Sequence, residues 1–152
     1  MKYIMHTPGC TANELTVAEI ERPVIGPGEV LIETYFAGVG ATDIALRKGT
    51  FMTPKPGAPA HHNILGLELS GIIAEVGDGV TNFSVGQRVC ALVYGGGYSE
   101  WAVAPQEQVL ALPEDMSLEE GAAVPENYWT VWANVFHPNF GNHIFFFLLY
   151  KL

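Results

Sequence analysis

Basic residues are scarce in this chain of 152 residues. Seven Lys and Arg face sixteen Asp and Glu, which gives a formal net charge of −9. Nucleic acids and anionic membranes bind through clustered basic side chains, so neither is expected as a partner. Cysteine is scarce as well. Cys10 and Cys90 are too few for a disulfide framework or a structural zinc site, and we expect both to be small buried side chains.

Neither a signal peptide nor a transmembrane helix is expected from the sequence. Met1 leads directly into fold-like sequence without a signal peptide, so a cytoplasmic location is expected. The apolar run at residues 144–150 has seven residues, too few for a transmembrane helix. That run is compatible with a buried strand, a partner-binding edge or an adhesive non-native tail.

The composition favours one β-rich domain. The chain is 49% hydrophobic and only 15% charged, which excludes disorder, and its length suits a single core. Seventeen Gly and ten Pro favour turns and short strands over long helices. Apolar alternation and bounding turns predict strands at residues 3–6, 15–20, 29–39, 64–77, 88–93, 98–103 and 109–112.

Three short helices are predicted between and after these strands. Thr42 or Asp43 is expected to cap a helix that runs through Lys48. Ser117, three residues before Glu120, forms a capping-box pattern. Residues 126–136 follow Pro125 and place apolar side chains at helical spacing.

The stretch at residues 64–77 organises the chain, because two apolar runs in it flank Glu68. A carboxylate in such a buried strand must be hydrogen-bonded, paired or partly protonated. On the residues alone, a structural Glu that ties down neighbouring loops is the favoured interpretation.

Loops supply the other candidate site residues. The Pro-rich loop at residues 50–60 suits a lid, and Phe51, Tyr94 and Tyr98 suggest a cleft for a flat apolar ligand. His61 and His62 are a weak metal pair, since adjacent side chains on extended backbone point to opposite faces. Residues 95–97 are three glycines without a following helix, so a phosphate loop is not expected.

Several motifs together resemble the N-terminal catalytic domain of the medium-chain dehydrogenase/reductase superfamily, whose core resembles the GroES fold. In chain order they are residues 26–32, 38–43, 66–68 with Gly71, 76–77, 83–89, 97–100 and 122–125. The resemblance runs from Met1 to about Gly141. It implies a mainly β fold with short helices, built as a GroES-like barrel.

Two departures from the zinc alcohol dehydrogenases of this superfamily select a branch. Gly40 stands where those enzymes have a Cys, and Leu67 stands where they have a His, so neither can ligate a metal. The four-cysteine lobe of their structural zinc is absent too. The chain therefore resembles the zinc-free quinone oxidoreductases, no metal is expected, and Glu68 is interpreted as a structural hydrogen-bonding hub.

The resemblance also implies a set of site residues. Phe51 and Thr130 are the implied catalytic positions, and Gly40, Thr42, Asp43 and Thr130 are the implied cofactor-binding positions. Phe51 matches a family Tyr but lacks its hydroxyl, so it can stack on a ring without donating a proton. Gly40 replaces an Asn that is common in quinone reductases. From the residues alone, Thr130 would be a helix Thr on a packed face.

The expected domain division follows from the same resemblance. Residues 1–124 would be the GroES-like catalytic domain, residues 125–141 the start of a helical connection, and residues 142–152 an apolar tail. The Rossmann domain of the family is expected to be missing after that connection, because a glycine-rich nucleotide fold needs about 30 residues for its first unit alone. NADP(H) or NAD(H) would serve the full-length family, without tight binding by this chain.

Two functions are compatible with these features. The first is an NAD(P)H-dependent quinone oxidoreductase-type reductase, acting on a quinone or an activated carbonyl, of which this catalytic domain would be inactive alone. The second is a non-catalytic GroES-like module that associates with itself or with a partner through exposed apolar surface. A homo-oligomer is expected in either case.

Overall fold

The computed structural model describes residues 1–51 and 58–136 and confirms a mainly β domain with short helices. Its strands are β1 (Lys2–Met5), β2 (Thr16–Glu19), β3 (Glu29–Ala37), β4 (Glu68–Val76), β5 (Arg88–Leu92), β6 (Trp101–Pro105) and β7 (Val109–Ala111). Its helices are α1 (Ala41–Arg47), α2 (Leu118–Gly121) and α3 (Pro125–Val131), and a π-helical turn, Trp132–Phe136, continues α3. Short 3-10 turns lie at Ala12–Glu14, Ala60–Asn63 and Gln106–Gln108.

The strands form two antiparallel sheets. β1 pairs with β2, and the other five strands lie in the order β6-β3-β4-β5-β7. The larger sheet carries the core, a cluster of buried apolar side chains that includes Val30, Ile32, Leu69, Ile73 and Val89. Both cysteines are buried as expected, at 8% exposure for Cys10 and 1% for Cys90. Burial is also the main cause that raises the pKa of the Cys90 thiol to about 11.

The two central strands, β3 and β4, are packed backbone against backbone at Gly71. The register between them shifts twice, between Leu31 and Ile32 and between Thr34 and Phe36. A β-carbon added to Gly71 would lie 1.9 Å from the carbonyl oxygen of Glu33. Only glycine therefore fits at this point of the ladder.

Two predicted strands begin later than the sequence pattern indicates. Residues 64–67 do not belong to β4, because Gly66 has a φ of +94° and turns the chain immediately before Glu68. Residues 98–100 likewise do not belong to β6, because the backbone of Tyr98 packs against the turn at Gly66. Apolar composition alone did not reveal this turn.

The first two predicted helices exist, with one change of cap. The cap of α1 is Gly40 rather than Thr42 or Asp43, and Asp43 accepts a hydrogen bond from the Gly40 N–H at 2.8 Å. Before α2, Ser117 and Glu120 form the predicted capping box. The backbone and hydroxyl donors of Ser117 lower the pKa of the Glu120 carboxyl.

The predicted helix at residues 126–136 begins at Pro125 and ends as the π-helical turn. Its apolar side chains are largely exposed, with 67% of Tyr128, 62% of Trp132 and 61% of Phe136 accessible. The rings of Trp132 and Phe136 pack on each other at 5.2 Å. We call the exposed side chains Tyr128, Val131, Trp132, Val135 and Phe136 the apolar helix face.

Some predictions concern residues outside this description. Most of the predicted lid (residues 52–57 of the loop 50–60) lies outside the described residues. So do the end of the predicted helical connection, after residue 136, and the tail at residues 142–152. Among the helices that the structure describes, none is long and apolar enough to cross a membrane.

Candidate functional site

Three acidic side chains converge at the end of the large sheet where β3 ends and β4 begins. We call Asp43 of α1, Glu68 of β4 and Glu126 of α3 the carboxylate cluster. Asp43 and Glu68 are each only 3% exposed. Within residues 1–51 and 58–136 the cluster forms no ion pair with Lys or Arg, so hydrogen bonds stabilise its charges.

Glu68 is fixed from two sides. Its Oε2 accepts a hydrogen bond from the backbone N–H of Glu126 at 2.9 Å. Its Oε1 lies over Gly38, where an added β-carbon would be only 2.1 Å away. Burial raises the pKa of the Glu68 carboxyl, the Glu126 N–H opposes that effect, and the charges of Glu126 and Asp43 add to it. The predicted hydrogen-bonded carboxylate is therefore present.

Asp43 joins α1 to the turn before β4. Its Oδ2 accepts from the Gly40 N–H, and its Oδ1 accepts from the Gly66 N–H at 3.2 Å. Nearby, the Tyr98 hydroxyl donates to the Gly38 carbonyl oxygen at 3.1 Å. Burial, followed by the adjacent Asp43 carboxylate, raises the pKa of Tyr98 well above its ordinary value. Tyr98 is thus a neutral hydrogen-bond donor at physiological pH.

Glu126 connects two of the implied cofactor positions. The Thr42 hydroxyl donates to Glu126 Oε1, and the Thr130 hydroxyl donates to the Glu126 carbonyl oxygen at 2.5 Å. Glu126 Oε2 lies 3.0 Å from the place that a β-carbon at Gly40 would occupy. The sequence analysis missed Glu126. The available signal was an acidic residue directly after Pro125, at the start of an otherwise uncharged helix.

The predicted aromatic cleft is only partly assembled. Tyr98 packs inward, whereas 44% of Phe51 and 61% of Tyr94 are exposed. No ring contact joins Phe51 to Tyr94 or Tyr98 within the described chain. The structure therefore joins Thr42, Glu68 and Thr130 through hydrogen bonds to Glu126, and it joins Gly40 to Asp43. Phe51 takes part in none of these contacts.

The two adjacent histidines differ from the prediction of extended backbone. His61 and His62 lie on the 3-10 turn Ala60–Asn63, and their rings meet edge to face at 4.6 Å. The His62 ring also lies 5.5 Å from the ring of Tyr94. Burial lowers the pKa of both imidazoles, and for His61 the neighbouring His62 lowers it further, while Glu29 opposes the shift in both.

The donor set around the carboxylate cluster does not form a metal centre. In residues 1–51 and 58–136, no three His, Cys, Asp or Glu side chains are grouped as ligands of one ion. Gly40 and Leu67 have no side-chain atom that could bind a metal. The arrangement instead offers hydroxyl and carboxylate oxygens next to Gly40, whose missing side chain leaves room for the Glu126 carboxylate.

Comparison with known proteins places this chain in a family. Residues 26–114 match the model of the alcohol dehydrogenase GroES-like domain. The quinone oxidoreductase of Rattus norvegicus is 34% identical over 126 residues, which are 80% of this chain and 37% of that protein. The synaptic vesicle membrane protein VAT-1 homolog-like of Mus musculus is 33% identical over 124 residues, or 82% of this chain and 29% of that protein.

Solved structures give the same assignment. The structure of Escherichia coli quinone oxidoreductase complexed with NADPH superposes with a TM-score of 0.69 at 26% identity, over 88% of this chain and 39% of that one. The chain spans about a third of the length of the two curated relatives, at 37% and 29%. It carries an alcohol dehydrogenase GroES-like domain and belongs to the medium-chain dehydrogenase/reductase superfamily.

Proposed function

We propose that this chain is the nicotinamide- and substrate-contacting domain of an NAD(P)H-dependent quinone oxidoreductase-type reductase. One observation carries the proposal: inside a GroES-like fold, Glu68 is held by the backbone N–H of Glu126, and Gly40 and Leu67 cannot ligate a metal. Polar chemistry at this end of the sheet then depends on hydroxyl and carboxyl groups. Residues 1–124 would form this catalytic domain, and residues 125–141 would begin the connection to a nucleotide-binding domain, with residues 142–152 as a tail.

The described residues fit the nicotinamide end of such a cofactor. Gly40 leaves the Glu126 carboxylate uncovered, because a β-carbon there would lie 3.0 Å from its Oε2, and Thr130 lies on the exposed side of α3. The glycines at 95–97 lie between β5 and β6 with no helix start, so they are unsuited to holding a pyrophosphate. A bound nicotinamide would supply the hydride. The chain would orient the ring, and we propose that it does not bind the whole dinucleotide tightly.

The substrate would be a quinone or an activated carbonyl compound. Phe51 is 44% exposed after α1 and can stack on a flat ring. It has no hydroxyl, so it cannot deliver the proton that a reduced carbonyl oxygen needs. That proton would have to come from another hydroxyl or carboxyl group, or from water.

Titration of the ¹⁵N-labelled chain with NADPH, followed by NMR, tests this proposal. We expect weak, millimolar binding with the largest shifts at Gly40, Thr42 and Thr130, because only the nicotinamide end has a site here. Adenosine 2′,5′-bisphosphate, which carries only the adenine end, is the matched control and should leave these signals unchanged. Equal shifts with the two ligands, or shifts centred elsewhere, would contradict the proposal.

Steady-state turnover tests the second part of the same proposal. With 1,4-naphthoquinone and NADPH or NADH, we expect the chain alone to reduce quinone poorly or not at all, since positioning of the nicotinamide is incomplete. Ordinary turnover by the purified chain would refute this part while supporting the reaction class.

A second candidate function is self-association, and the apolar helix face favours it. Tyr128, Trp132 and Phe136 are all more than 60% exposed, and no charged residue interrupts residues 127–136. Contiguous exposed apolar patches mark association sites. Size-exclusion chromatography of dilute protein should therefore show an oligomer, and Trp132→Glu should dissociate it. Tyr35→Glu, which changes an exposed aromatic residue on β3, is the control and should leave the oligomer intact. A monomer that is unaffected by Trp132→Glu or by removal of the last nine residues would argue against it.

A further inference from the structure

A groove lies between the segment that leads into α2 and the beginning of α3. Its volume is about 530 Å³, and it is lined by Asp115, Met116, Glu120, Ala123, Val124 and Tyr128. None of these residues belongs to the carboxylate cluster. We propose that this α2–α3 groove binds a small amphiphilic organic cation, which consists of a primary ammonium group on an apolar body. The proposal does not depend on the proposed function.

The apolar part of the groove suits a hydrocarbon or aromatic body. Met116, Ala123 and Val124 line it without a charge. The ring of Tyr128 lines it too and is largely exposed. A flat apolar group can stack on such a ring, and a cation over the face of the ring is attracted by it. Tyr128 can therefore contact either part of the proposed ligand.

The acidic part of the groove offers carboxylate oxygens to the ammonium group. Glu120 Oε2 accepts from the backbone N–H and from the hydroxyl of Ser117, both at 2.9 Å, so Oε1 is left for a ligand. Within residues 1–51 and 58–136, neither Glu120 nor Asp115 forms an ion pair with Lys or Arg. An ammonium group has three N–H donors and a charge of the opposite sign. Both carboxylates thus favour a cation and repel an anion.

The wall of the groove that leads into α2 is held in place by Arg88 of β5. Its guanidinium donates to the carbonyl oxygens of Pro113 and Glu114, both at 3.4 Å, and to that of Met116. The side chain of Arg88 is thereby directed to backbone oxygens instead of the groove carboxylates. Because this wall is fixed before a ligand arrives, binding does not have to pay for ordering it.

Size and charge together favour a small molecule as the occupant. The volume of the groove is that of a small-molecule site, whereas protein interfaces are broader surfaces. A second copy of the chain has few side chains of the required sign, since only seven of its 152 residues are Lys or Arg. The acidic lining therefore points to a free amine.

NMR titration of the ¹⁵N-labelled full chain with three compounds of one apolar body tests the proposal. At neutral pH, 4-phenylbutylamine is a cation, 4-phenylbutan-1-ol is neutral and 4-phenylbutanoate is an anion. We expect millimolar binding of the amine, about fivefold tighter than the alcohol, because its contacts with the carboxylates are partly screened by water. The shifts should centre on Met116, Ala123 and Tyr128, and the anion should bind more weakly than the alcohol.

Two variants remove the charges of the groove one at a time. Asp115→Asn and Glu120→Gln should each lower the preference for the amine over the alcohol by about twofold. Gln at position 120 can still complete the capping box with Ser117, so α2 should remain intact. Glu119→Gln is the matched control, because it removes the same charge from an exposed neighbour that does not line the groove. It should leave the preference unchanged.

A third variant tests the ring. Tyr128→Leu keeps an apolar side chain without the aromatic face, and it should weaken the binding of the amine by about threefold. Equal affinities for the amine and the alcohol, or shifts centred outside the groove, would overturn the proposal. Equal losses in Glu119→Gln and Glu120→Gln would assign the preference to net charge and would also overturn it. Groove signals that shift with protein concentration and resist the amine would show a second copy in its place.

Discussion

The large sheet buries apolar side chains, whereas the carboxylate cluster at its end buries acidic ones. In the sheet, Val30, Ile32 and Leu69 are fully buried and apolar, and glycine appears where two backbones touch. In the cluster, Asp43 and Glu68 are buried just as deeply but are acidic, and Glu68 is held by an N–H group. Buried carboxylates without a cation are costly, so the hydrogen bonds to Asp43 and Glu68 must offset that cost.

The largest expected loss of stability comes from Gly71→Ala, which tests the packing of the large sheet. In Gly71→Ala the new β-carbon would lie 1.9 Å from the Glu33 carbonyl oxygen, so β3 and β4 would have to separate. We expect a loss of at least about 3 kcal/mol in the free energy of unfolding, measured by denaturant titration. Gly79→Ala is the control: its site is open, and its φ of +80° should cost only about 1 kcal/mol. Equal losses in the two variants would contradict the close packing at Gly71.

A second variant measures how tightly the same sheet is packed. Leu69 is fully buried in the core cluster, so Leu69→Ala should leave a cavity and lower the free energy of unfolding by about 3 kcal/mol. Leu110→Ala removes the same atoms from a position on β7 that is 41% exposed, and we expect a loss below about 1 kcal/mol. The packing account fails if the exposed variant loses as much as the buried one.

On the cluster side, a smaller effect is expected from Tyr98→Phe. The variant keeps the ring but removes the hydrogen bond to the Gly38 carbonyl oxygen, so we expect a loss of about 1 kcal/mol in unfolding free energy. Tyr35→Phe, on a ring that is 52% exposed, should change stability little. A Tyr98→Phe protein as stable as the Tyr35→Phe protein would show that this bond has no net stabilising effect.

The smallest effect at neutral pH is expected from Glu68→Gln, and its sign depends on pH. Because the pKa of Glu68 is raised in the folded protein, protonation stabilises the wild type below the ordinary Glu pKa. That contribution is lost as the pH rises through the folded-state pKa. Gln cannot ionise but can still accept from the Glu126 N–H. As the pH rises, the free energy of unfolding of Glu68→Gln should therefore increase relative to that of the wild type. At pH 7 the difference should be less than about 1 kcal/mol.

Unfolding curves measured from below the ordinary Glu pKa up to pH 7 check the prediction. Glu120→Gln is the control, because its stability difference from the wild type should depend on pH with the opposite sign. The pKa of Glu120 is lowered by its capping contacts, so its contribution is present above the ordinary Glu pKa and is lost as the pH falls through the lowered value. A Glu68→Gln protein that lost stability relative to the wild type as the pH rose would contradict the arrangement.

Much of the fold was predictable from the sequence, because local signals decided it. Alternating apolar residues located β3, and the Ser117–Glu120 spacing located the start of α2. The start of β4 was predicted too early, since the turn at Gly66 depends on a contact with Tyr98 more than thirty positions away. Local sequence does not contain that contact.

The site was less predictable for the same reason. Glu68 stood out because it interrupts an apolar run, and its partner could not be deduced from residues nearby. That partner is the backbone N–H of Glu126, 58 positions away. The link between Thr42 and Glu126 likewise requires α1 and α3 to meet at the end of the sheet. Such long-range contacts are a property of the folded chain alone.

The most direct test of this account is the pKa of Glu68, measured by ¹³C NMR titration of its carboxyl carbon, with Glu68→Gln to assign the signal. The account predicts a midpoint above the ordinary Glu value, because burial and the neighbouring carboxylates outweigh the single N–H donor. A midpoint at or below the ordinary value would contradict it, since Glu68 would then be ionised and stabilised by a partner that the carboxylate cluster does not contain.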